Sequence, residues 1–270
     1  MMKQVTLQQG YNSLVREGEM EYIQFGVYRG SAGDTFTLDT GEHEAVLVIL
    51  SGRCHLHVNE QTYPQVGGRR SVFEGNAWSL YAPNHTSITV EVVDEAEVAI
   101  SQTRVPAAGE PRLIAPQEVN VRDVGVWNWR RDVKDIVDKR IPASRLVVGE
   151  TINPPGNWSS WPPHKHDVHH PPFESKQEEV YFFKVQPANS FGVARLYTAE
   201  GDVDELYPIR DNSVLLIRKG YHPIAAAPGT RVYYLWTLAG ESRDLIPNDA
   251  PDYRWMKDTE AVLREWQRNL

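Results

Sequence analysis

Two histidines stand two residues apart in the segment Pro-Pro-His-Lys-His-Asp, which spans residues 162–167. On a β-strand, side chains at positions i and i+2 project from the same face, so His164 and His166 could both reach one ion. Zinc, iron and manganese accept neutral imidazole nitrogen, and carboxylate oxygen often completes their coordination. The spacing therefore predicts half of a metal site.

Two residues further along the chain could complete this site. Glu179 opens the next apolar strand, and His222 lies in a turn that ends a later strand. In a small barrel these strands can converge on one interior point, which gives three nitrogen ligands, one oxygen ligand and room for water or substrate. Strand alternation alone does not choose between Glu179 and its neighbour Glu178.

The histidine pair also has ordinary interpretations. An isolated His-x-His is often two surface or core histidines, and His169 and His170 could make the whole segment a histidine-rich loop. The later glutamate and histidine on flanking strands favour the metal site. Lys165 lies between the two predicted ligands, so its side chain should point away from the metal.

Glycine, proline, asparagine or aspartate interrupts most of the chain roughly every 8 to 12 residues, with short β-branched and aromatic runs between. This spacing predicts an all-β sandwich or barrel. Helical periodicity is clear only over Thr259–Leu270, and a shorter helix is predicted near Arg130–Val137. The predicted strands are Ala45–Leu50, Cys54–Val58, Trp78–Ala82, Ser87–Val93, Val98–Ser101, Arg145–Val148, Val180–Lys184, Ala194–Thr198, Val214–Ile217 and Arg231–Leu238.

A weak internal repeat divides the chain. Glu44 opens an apolar strand 41 residues before His85, and Glu179 opens a similar strand 43 residues before His222. The proline-rich stretch Thr103–Pro116 is the best candidate for a linker between the two halves. Two copies of one β-barrel unit explain this pattern.

Four segments of the second half resemble a known family. The run Pro-Pro-Gly-Asn-Trp-Ser-Ser-Trp-Pro-Pro-His-Lys-His-Asp closely resembles the signature of 5-deoxy-glucuronate isomerase, an enzyme of inositol catabolism. That family is related to the pectin-pathway uronate isomerase. The resemblance is specific over residues 149–240 and thin over the first hundred residues. The four segments are 154–167, 178–183, 191–198 and 218–229.

The resemblance implies two cupin barrels, of the double-stranded β-helix or jelly-roll type, and a divalent metal, with zinc favoured over iron or manganese. By motif position the ligands are His164, His166, Glu179 and His222, and the pattern Glu-Val-Tyr-Phe favours Glu179 over Glu178. The second histidine and the glutamate are 13 residues apart, which is further than in a general cupin motif.

The expected organisation has three parts. Residues 1–105 form an N-terminal degenerate cupin without metal, 106–140 form a linker and connecting segment, and 141–270 form the metal-binding cupin with a short C-terminal helix. His55 and His57 form a second His-x-His pair, but they follow the first-half glutamate instead of preceding it. We therefore expect a structural role for both.

The reaction that the resemblance implies is aldose–ketose isomerisation of 5-deoxy-glucuronate to 2-deoxy-5-keto-gluconate in myo-inositol catabolism. Such a reaction needs positive charge at the developing enediolate oxygen and an acid and a base that shuttle protons. Tyr181 shares the strand face of Glu179, Tyr197 lies in another strand, and Arg195 could hold the substrate carboxylate. Core tyrosines and a surface arginine are the ordinary alternatives. Further candidates for the sugar pocket are Tyr234, Trp158, Trp161 and Trp236.

Three rival functions remain open at this point. The same ligand cage could hold Fe(II) in a metal-dependent dioxygenase, or serve a related uronate isomerase that acts on another sugar acid. A non-catalytic sugar-binding module is the third alternative. Metal content, oxygen uptake and turnover discriminate among them.

The composition of the chain limits the classes of molecule that it could bind. The 270 residues include 28 Lys and Arg against 36 Asp and Glu, a net charge of −8 that argues against nucleic-acid binding. An anionic substrate such as a sugar acid must then be held by local cations or a metal. Cys54 is the only cysteine, which excludes an intrachain disulfide and predicts a small core residue. No segment is apolar enough for a signal peptide or membrane span, so we expect a soluble cytoplasmic protein. The exposed edges of its sheets could pair between copies of the chain and form a homo-oligomer.

Overall fold

The computed structural model describes residues 1–106 and 109–268, with side chains described as far as residue 266. One α-helix, α1 (Trp255–Arg268), and three single 3-10 turns, Pro116–Glu118, Trp127–Trp129 and Pro251–Tyr253, accompany the strands. The strands are β1 (Met2–Gln4), β2 (Gly10–Val15), β3 (Ile23–Gly30), β4 (Thr35–Asp39), β5 (His43–Ser51), β6 (Arg53–Val58), β7 (Gln61–Gly67), β8 (Ser79–Ala82), β9 (Ser87–Val92), β10 (Ala96–Arg104), β11 (Arg112–Ile114), β12 (Asn120–Val124), β13 (Arg131–Val137), β14 (Val147–Asn153), β15 (Trp158–Ser159), β16 (His164–Lys165), β17 (Gln177–Gln186), β18 (Gly192–Tyr197), β19 (Asp204–Ile209), β20 (Ser213–Ile217), β21 (Ile224–Ala226), β22 (Arg231–Gly240) and β23 (Asn248–Asp249).

Each half of the chain forms a two-sheet barrel. In the first, a six-stranded sheet (β11-β8-β5-β10-β3-β2) packs on a four-stranded sheet (β4-β9-β6-β7). In the second, a seven-stranded sheet (β1-β20-β17-β22-β14-β13-β12) packs on a four-stranded sheet (β15-β21-β18-β19), and β16 pairs with β23 beside them. The all-β prediction with two barrels and a C-terminal helix is confirmed.

The central strand β5 is buried on both faces. Its odd-numbered residues from Ala45 to Ile49 pack inside the first barrel, whereas its even-numbered residues from Val46 to Leu50 pack against the other half of the molecule. Because both faces meet apolar surroundings, the strand reads as a continuous apolar run instead of an alternating one. β17 behaves in the same way in the second barrel. The two large sheets therefore share one core between the halves.

The two barrels are related by an approximate internal repeat. Val46 on β5 lies opposite Ser101 on β10, and Val180 on β17 lies opposite Thr237 on β22. The Ser101 and Thr237 hydroxyls hydrogen-bond to each other at 2.7 Å, buried where the halves meet. Val46 is thus the counterpart of Val180, and each half contributes one hydroxyl to the same contact.

Two buried glutamates connect the halves reciprocally. The Glu44 carboxylate accepts the backbone N–H groups of residues 144–146 in the second half, each at 2.7 Å. The Glu178 carboxylate accepts those of residues 21–23 in the first half at 2.6 to 2.8 Å. The prediction that Glu44 matches Glu179 is therefore wrong by one residue, because register makes Glu178 its counterpart.

The helix predicted near Arg130–Val137 is strand β13 instead. β13 pairs with β12 on one side and with β14 on the other, so its backbone hydrogen bonds are taken by neighbouring strands. The apolar residues of this segment are compatible with either periodicity. Long-range pairing, which the local sequence does not show, decided the outcome.

The expected linker carries structure. Within residues 106–140, β11 joins the sheet of the first barrel, whereas β12 and β13 form one edge of the large sheet of the second. β1, near the N-terminus, pairs with β20 at the opposite edge of that same second sheet. The sheets therefore exchange strands across the expected boundaries at 105 and 140, which ties the two barrels into one structure.

Three smaller expectations can be compared directly. Helix α1 begins at Trp255, four residues before the predicted start, and Leu270 lies outside the described residues. The predicted apolar residues Val262 and Trp266 are 69% and 54% exposed. Cys54 is fully buried, and burial raises the pKa of its thiol to about 12, as suits a core residue. In the described part of the chain no helix has the length and hydropathy to span a membrane.

Candidate metal centre

The fold brings three predicted histidines together. The ligand nitrogens of His164, His166 and His222 all lie within 4.8 Å of one another. β16 carries His164, His166 follows directly, and His222 stands in the turn before β21. Because β16 and β21 belong to different sheets, barrel closure is what makes these side chains converge.

Glu179 supplies the fourth group. Its Oε2 atom lies 3.2 Å from Nε2 of His166 and 3.3 Å from Nε2 of His222. Glu178 projects from the other face of β17, where backbone amides of the first half occupy both of its oxygens. The geometry therefore places Glu179, and not Glu178, beside the histidines.

Backbone carbonyls fix the orientation of each imidazole. Because a carbonyl oxygen only accepts, each Nδ1 must carry the proton, and each Nε2 is left to face the cluster. Outer hydrogen bonds of this kind orient histidine ligands in metal sites. The pairs are His164 with Pro162 O at 3.3 Å, His166 with Gln177 O at 2.9 Å and His222 with Gly220 O at 3.0 Å.

The surroundings keep two of the three histidines neutral. Burial lowers the pKa of His164 and of His222 to about 3, so both rings are neutral, which is the form that binds metals. Burial is the largest single influence on His166 and opposes its protonation, but the hydrogen bond to Glu179, the charge of Glu179 and the hydrogen bond to the Gln177 carbonyl together raise its pKa. Nε2 of His222 is buried without a hydrogen bond to any described residue. Burying a polar nitrogen without a partner costs free energy, and a divalent cation bound to this nitrogen would remove that cost.

A charged network beneath the cluster holds the histidine segment in place. Lys165 turns away from the histidines, as predicted, and its Nζ contacts Asp167 at 2.5 Å and Glu174 at 2.8 Å. Asp167 also accepts the Gly220 N–H at 2.7 Å, which links this segment to the turn that carries His222. Glu174 is only 2% exposed. Sequence reasoning missed both carboxylates, and charged residues flanking the histidine pair were the available signal.

The cluster opens into a cavity of about 380 Å³. This volume is within the usual range for small-molecule sites, which is roughly 300–1,000 Å³. Apolar and polar side chains both face it, so a polar ligand could be shielded from water and still find hydrogen-bond partners. The lining residues include His164, His166, Glu179, Tyr181, Tyr234, Trp236, Leu238, Arg122 and Arg131.

Two tyrosines reach into this cavity. The Tyr181 hydroxyl lies 3.1 Å from Ser160 Oγ, and the Tyr234 hydroxyl donates to Ser159 Oγ at 3.0 Å. Burial, and after it the charge of Glu179, raises the pKa of Tyr181 well above its usual value. Tyr181 therefore keeps its proton at neutral pH and is suited to donate it.

The other two predicted catalytic residues lie outside the cavity. The Arg195 guanidinium binds Asp204 at 2.8 and 2.9 Å on the outer face of β18, 41% exposed, and stacks over the Tyr197 ring at 4.2 Å. Alternation along β18 explains this placement, because Ala194 and Leu196 take the inward positions. The sequence shows that alternate residues of β18 point to opposite faces, but it does not show which face points inward, because that depends on the neighbouring strands.

Of the remaining aromatic and histidine candidates, one lines the cavity and the others lie outside it. Trp236 lines the cavity, whereas Trp158 is 37% exposed and packs on Trp161 at 5.0 Å away from the lining. His57 is 42% exposed and contacts Glu91, so the first-half His-x-His pair lies on the surface of its barrel. His169 and His170 are exposed, and neither lines the cavity.

The fold and site together define a two-barrel cupin protein with a three-histidine, one-glutamate cluster in its second barrel. The fold is shared with oxalate decarboxylase from Lactobacillus farciminis, at a TM-score of 0.66 and 8% identity over 100% of this chain and 91% of that one. Bacillus subtilis oxalate decarboxylase is similar at a TM-score of 0.61 and 9% identity, covering 90% and 76%. At these identities the likeness shows the fold alone.

The chain belongs to the KduI/IolB family, whose model matches residues 3–256. The 5-deoxy-glucuronate isomerases of Geobacillus thermodenitrificans and Geobacillus kaustophilus are both 36% identical, over 91% and 92% of this chain and 90% of each relative. The crystal structure of an IolB-like protein from Salmonella typhimurium LT2 has a TM-score of 0.92 and 31% identity, covering 95% of this chain and 98% of that one. These relatives support an isomerase role for the family.

Proposed function

We propose that this protein isomerises 5-deoxy-glucuronate to 2-deoxy-5-keto-gluconate and that His164, His166, Glu179 and His222 hold a divalent metal, with zinc favoured. The observation that carries the proposal is a cluster of oriented imidazoles beside one carboxylate at the wall of a cavity. The relatives that bear the isomerase name support the substrate and product.

The reaction moves a proton between neighbouring carbons while a carbonyl and a hydroxyl exchange places, with no net oxidation. A divalent cation bound at the cluster would supply positive charge to the enediolate oxygen that develops as the proton leaves. Tyr181 is the residue suited to return a proton, since its hydroxyl faces the cavity and keeps its hydrogen at neutral pH. Ser160 fixes that hydroxyl at 3.1 Å.

The walls of the cavity contribute by shielding and orientation. Trp236 and Leu238 present apolar surface beside the cluster, which lowers the local dielectric and strengthens each charge interaction inside. The Trp236 indole N–H is already used, because it donates to Thr151 Oγ1 at 3.1 Å. Its ring is therefore held rigidly as a surface for the sugar.

The central experiment couples metal content to turnover. Purified protein is analysed for bound metal by mass spectrometry and assayed with 5-deoxy-glucuronate, with and without a chelator, following the product by NMR. We expect stoichiometric metal and turnover that the chelator abolishes. Stoichiometric metal without turnover would remove this function and spare the site, and oxygen uptake would support the dioxygenase instead.

A matched pair of variants tests the site itself. His164→Ala should lose both metal and turnover, because it removes one of the converging imidazoles. His57→Ala changes a histidine in the surface pair of the first barrel and should retain both. Equal metal content in the two variants would contradict the proposed ligand set.

A further inference from the structure

Two arginines line the cavity, and their partners differ. Arg122 is neutralised by Asp135, whose carboxylate oxygens accept its Nε at 2.7 Å and its Nη2 at 2.8 Å. Arg131 also faces the cavity, but none of the carboxylates in residues 1–106 and 109–266 lies within 4 Å of its guanidinium. Of these two arginines, Arg131 is therefore the one without an ion-paired carboxylate among the described residues.

Neutral acceptors hold the Arg131 side chain. Its Nη1 donates to the carbonyl oxygens of Trp129 at 3.1 Å and Trp161 at 3.0 Å. These two bonds fix the guanidinium plane but use one nitrogen, which leaves Nε and Nη2 for another acceptor. Glu260 exerts some attraction on Arg131, but its own carboxylate binds Arg264 at 2.9 Å.

The charge of Arg131 reaches the histidine cluster. It contributes to the lowered pKa of His164, after burial and the charge of His166. Arg131 in turn interacts electrostatically with Tyr234 and Tyr181 on the cavity wall, while burial lowers its own pKa. An arginine stays protonated even so, because its ordinary pKa is above ~12. The cavity therefore has a fixed cation near the cluster and the tyrosines.

A partly buried cation whose hydrogen-bond partners are all neutral is costly to maintain, and the usual resolution is an anion. The guanidinium fork matches a carboxylate in bidentate geometry better than any other cation in proteins. In a chain of net charge −8, with Glu179 in the same cavity, a local cation is required to attract an anion.

We propose that Arg131 binds the carboxylate of the sugar-acid substrate and thereby directs the opposite, carbonyl end of the molecule toward the histidine cluster. This inference rests on the proposed function. It makes Arg131 the residue that selects acids over neutral sugars, a role that sequence reasoning had given to Arg195.

The test compares charged and uncharged ligands in metal-loaded protein. Arg131→Met removes the charge, Arg131→Lys keeps it without the fork, and Arg130→Met is the matched control, because Arg130 forms surface ion pairs with Asp123 and Asp132. Each protein is assayed with 5-deoxy-glucuronate and with its neutral 6-alcohol analogue. Binding of glucuronate is measured separately by calorimetry, and thermal melting checks folding.

We expect Arg131→Met to raise KM for the acid and to weaken glucuronate binding roughly 10- to 100-fold, the range for a lost charged hydrogen-bonded pair. Turnover of the neutral analogue should change little, Arg131→Lys should fall between, and Arg130→Met should match wild type. If wild type turns over and Arg131→Met keeps the same preference for acid over alcohol, the assignment of Arg131 is overturned while the function stands.

The binding arm separates the two proposals. If wild type shows no turnover but binds glucuronate, and Arg131→Met loses that binding, the carboxylate site is supported although the proposed reaction fails. Equal glucuronate binding by folded wild type and Arg131→Met overturns the inference whatever the turnover. If Arg131→Met melts early, a folded Arg131→Lys protein whose glucuronate binding is weaker than that of wild type keeps the test valid.

Discussion

Equivalent strands of the two barrels carry different kinds of inward side chain. In the first barrel the inward positions of β5 and β10 are small or apolar and completely buried. In the second barrel the matching positions of β17 and β22 carry Glu179 and three aromatic residues that line the cavity. The matching pairs are Ala45 and Glu179, Leu47 and Tyr181, Val98 and Tyr234, and Ile100 and Trp236.

This difference shows how one architecture divides stability from chemistry. An interior that is filled mainly by aliphatic side chains stabilises the first barrel through apolar burial. In the second barrel, polar groups and a cavity replace part of that apolar packing. Buried polar groups need hydrogen bonds or a bound ion to offset the cost of their burial. The shared core between the large sheets and the reciprocal glutamates Glu44 and Glu178 tie the second barrel to the first.

The largest expected effect distinguishes the adjacent glutamates. Glu179→Gln should lose metal and at least ~1,000-fold in kcat/KM, because an amide replaces the anionic ligand. Glu178→Gln should keep both, but lower the free energy of unfolding by about 3 kcal/mol, because three backbone N–H groups lose a charged acceptor. Metal analysis, kinetics and denaturant unfolding check both variants. Metal loss in Glu178→Gln alone would reverse the assignment.

A pair of equivalent positions tests the division between barrels. Tyr181→Phe should reduce kcat about 100-fold, because it removes a proton donor, and should cost about 1 kcal/mol of stability for the lost hydrogen bond to Ser160. Leu47→Ala should cost 2–5 kcal/mol, roughly, and leave the kcat of the folded fraction near wild type. Urea unfolding and steady-state kinetics measure the two effects. Similar profiles for both variants would contradict the comparison.

The network beneath the cluster should have an intermediate effect. Burial is the largest single influence and raises the pKa of Glu174, but the hydrogen bonds from Lys165, from Asn248 and from two backbone N–H groups together lower it to about 2. Its contribution to stability is therefore complete above the unfolded value of about 4.5 and is lost as pH falls toward 2. Glu174→Gln should weaken metal binding roughly 10- to 100-fold.

Melting temperatures of wild type and Glu174→Gln between pH 7 and pH 3 provide the check. The gap between the two proteins should be constant above about pH 5 and should narrow as the solution becomes more acidic. A gap that widens toward low pH would mean that Glu174 is not the ionised acceptor of Lys165.

The smallest effect is expected at Arg195. Arg195→Met removes an exposed ion pair with Asp204 on the outer sheet, and such pairs contribute about 0–1 kcal/mol. Its kcat/KM for 5-deoxy-glucuronate should stay within about twofold of wild type. A loss that matches Arg131→Met would return the carboxylate-binding role to Arg195.

Much of this protein could be predicted from its sequence because local patterns encode it. Regular turn residues and short β-branched runs predict strands, and the His-x-His spacing alone places two imidazoles on one face of a strand. The outward turn of Lys165 follows from the same alternation. The repeat of a glutamate and a later histidine indicated two related halves, although it was offset by one residue at Glu179.

Tertiary structure decided which faces point inward and which distant segments meet. The sequence of β13 is compatible with a helix or a strand, and pairing with β12 and β14 makes it a strand. In this strand Arg131 lines the cavity. Arg195 has equally suitable chemistry but lies on the outward face of β18. Residue types and spacing thus determined the available chemistry, whereas long-range strand pairing determined which of those groups share one cavity, because a one-residue change of register exchanges the two faces of a strand.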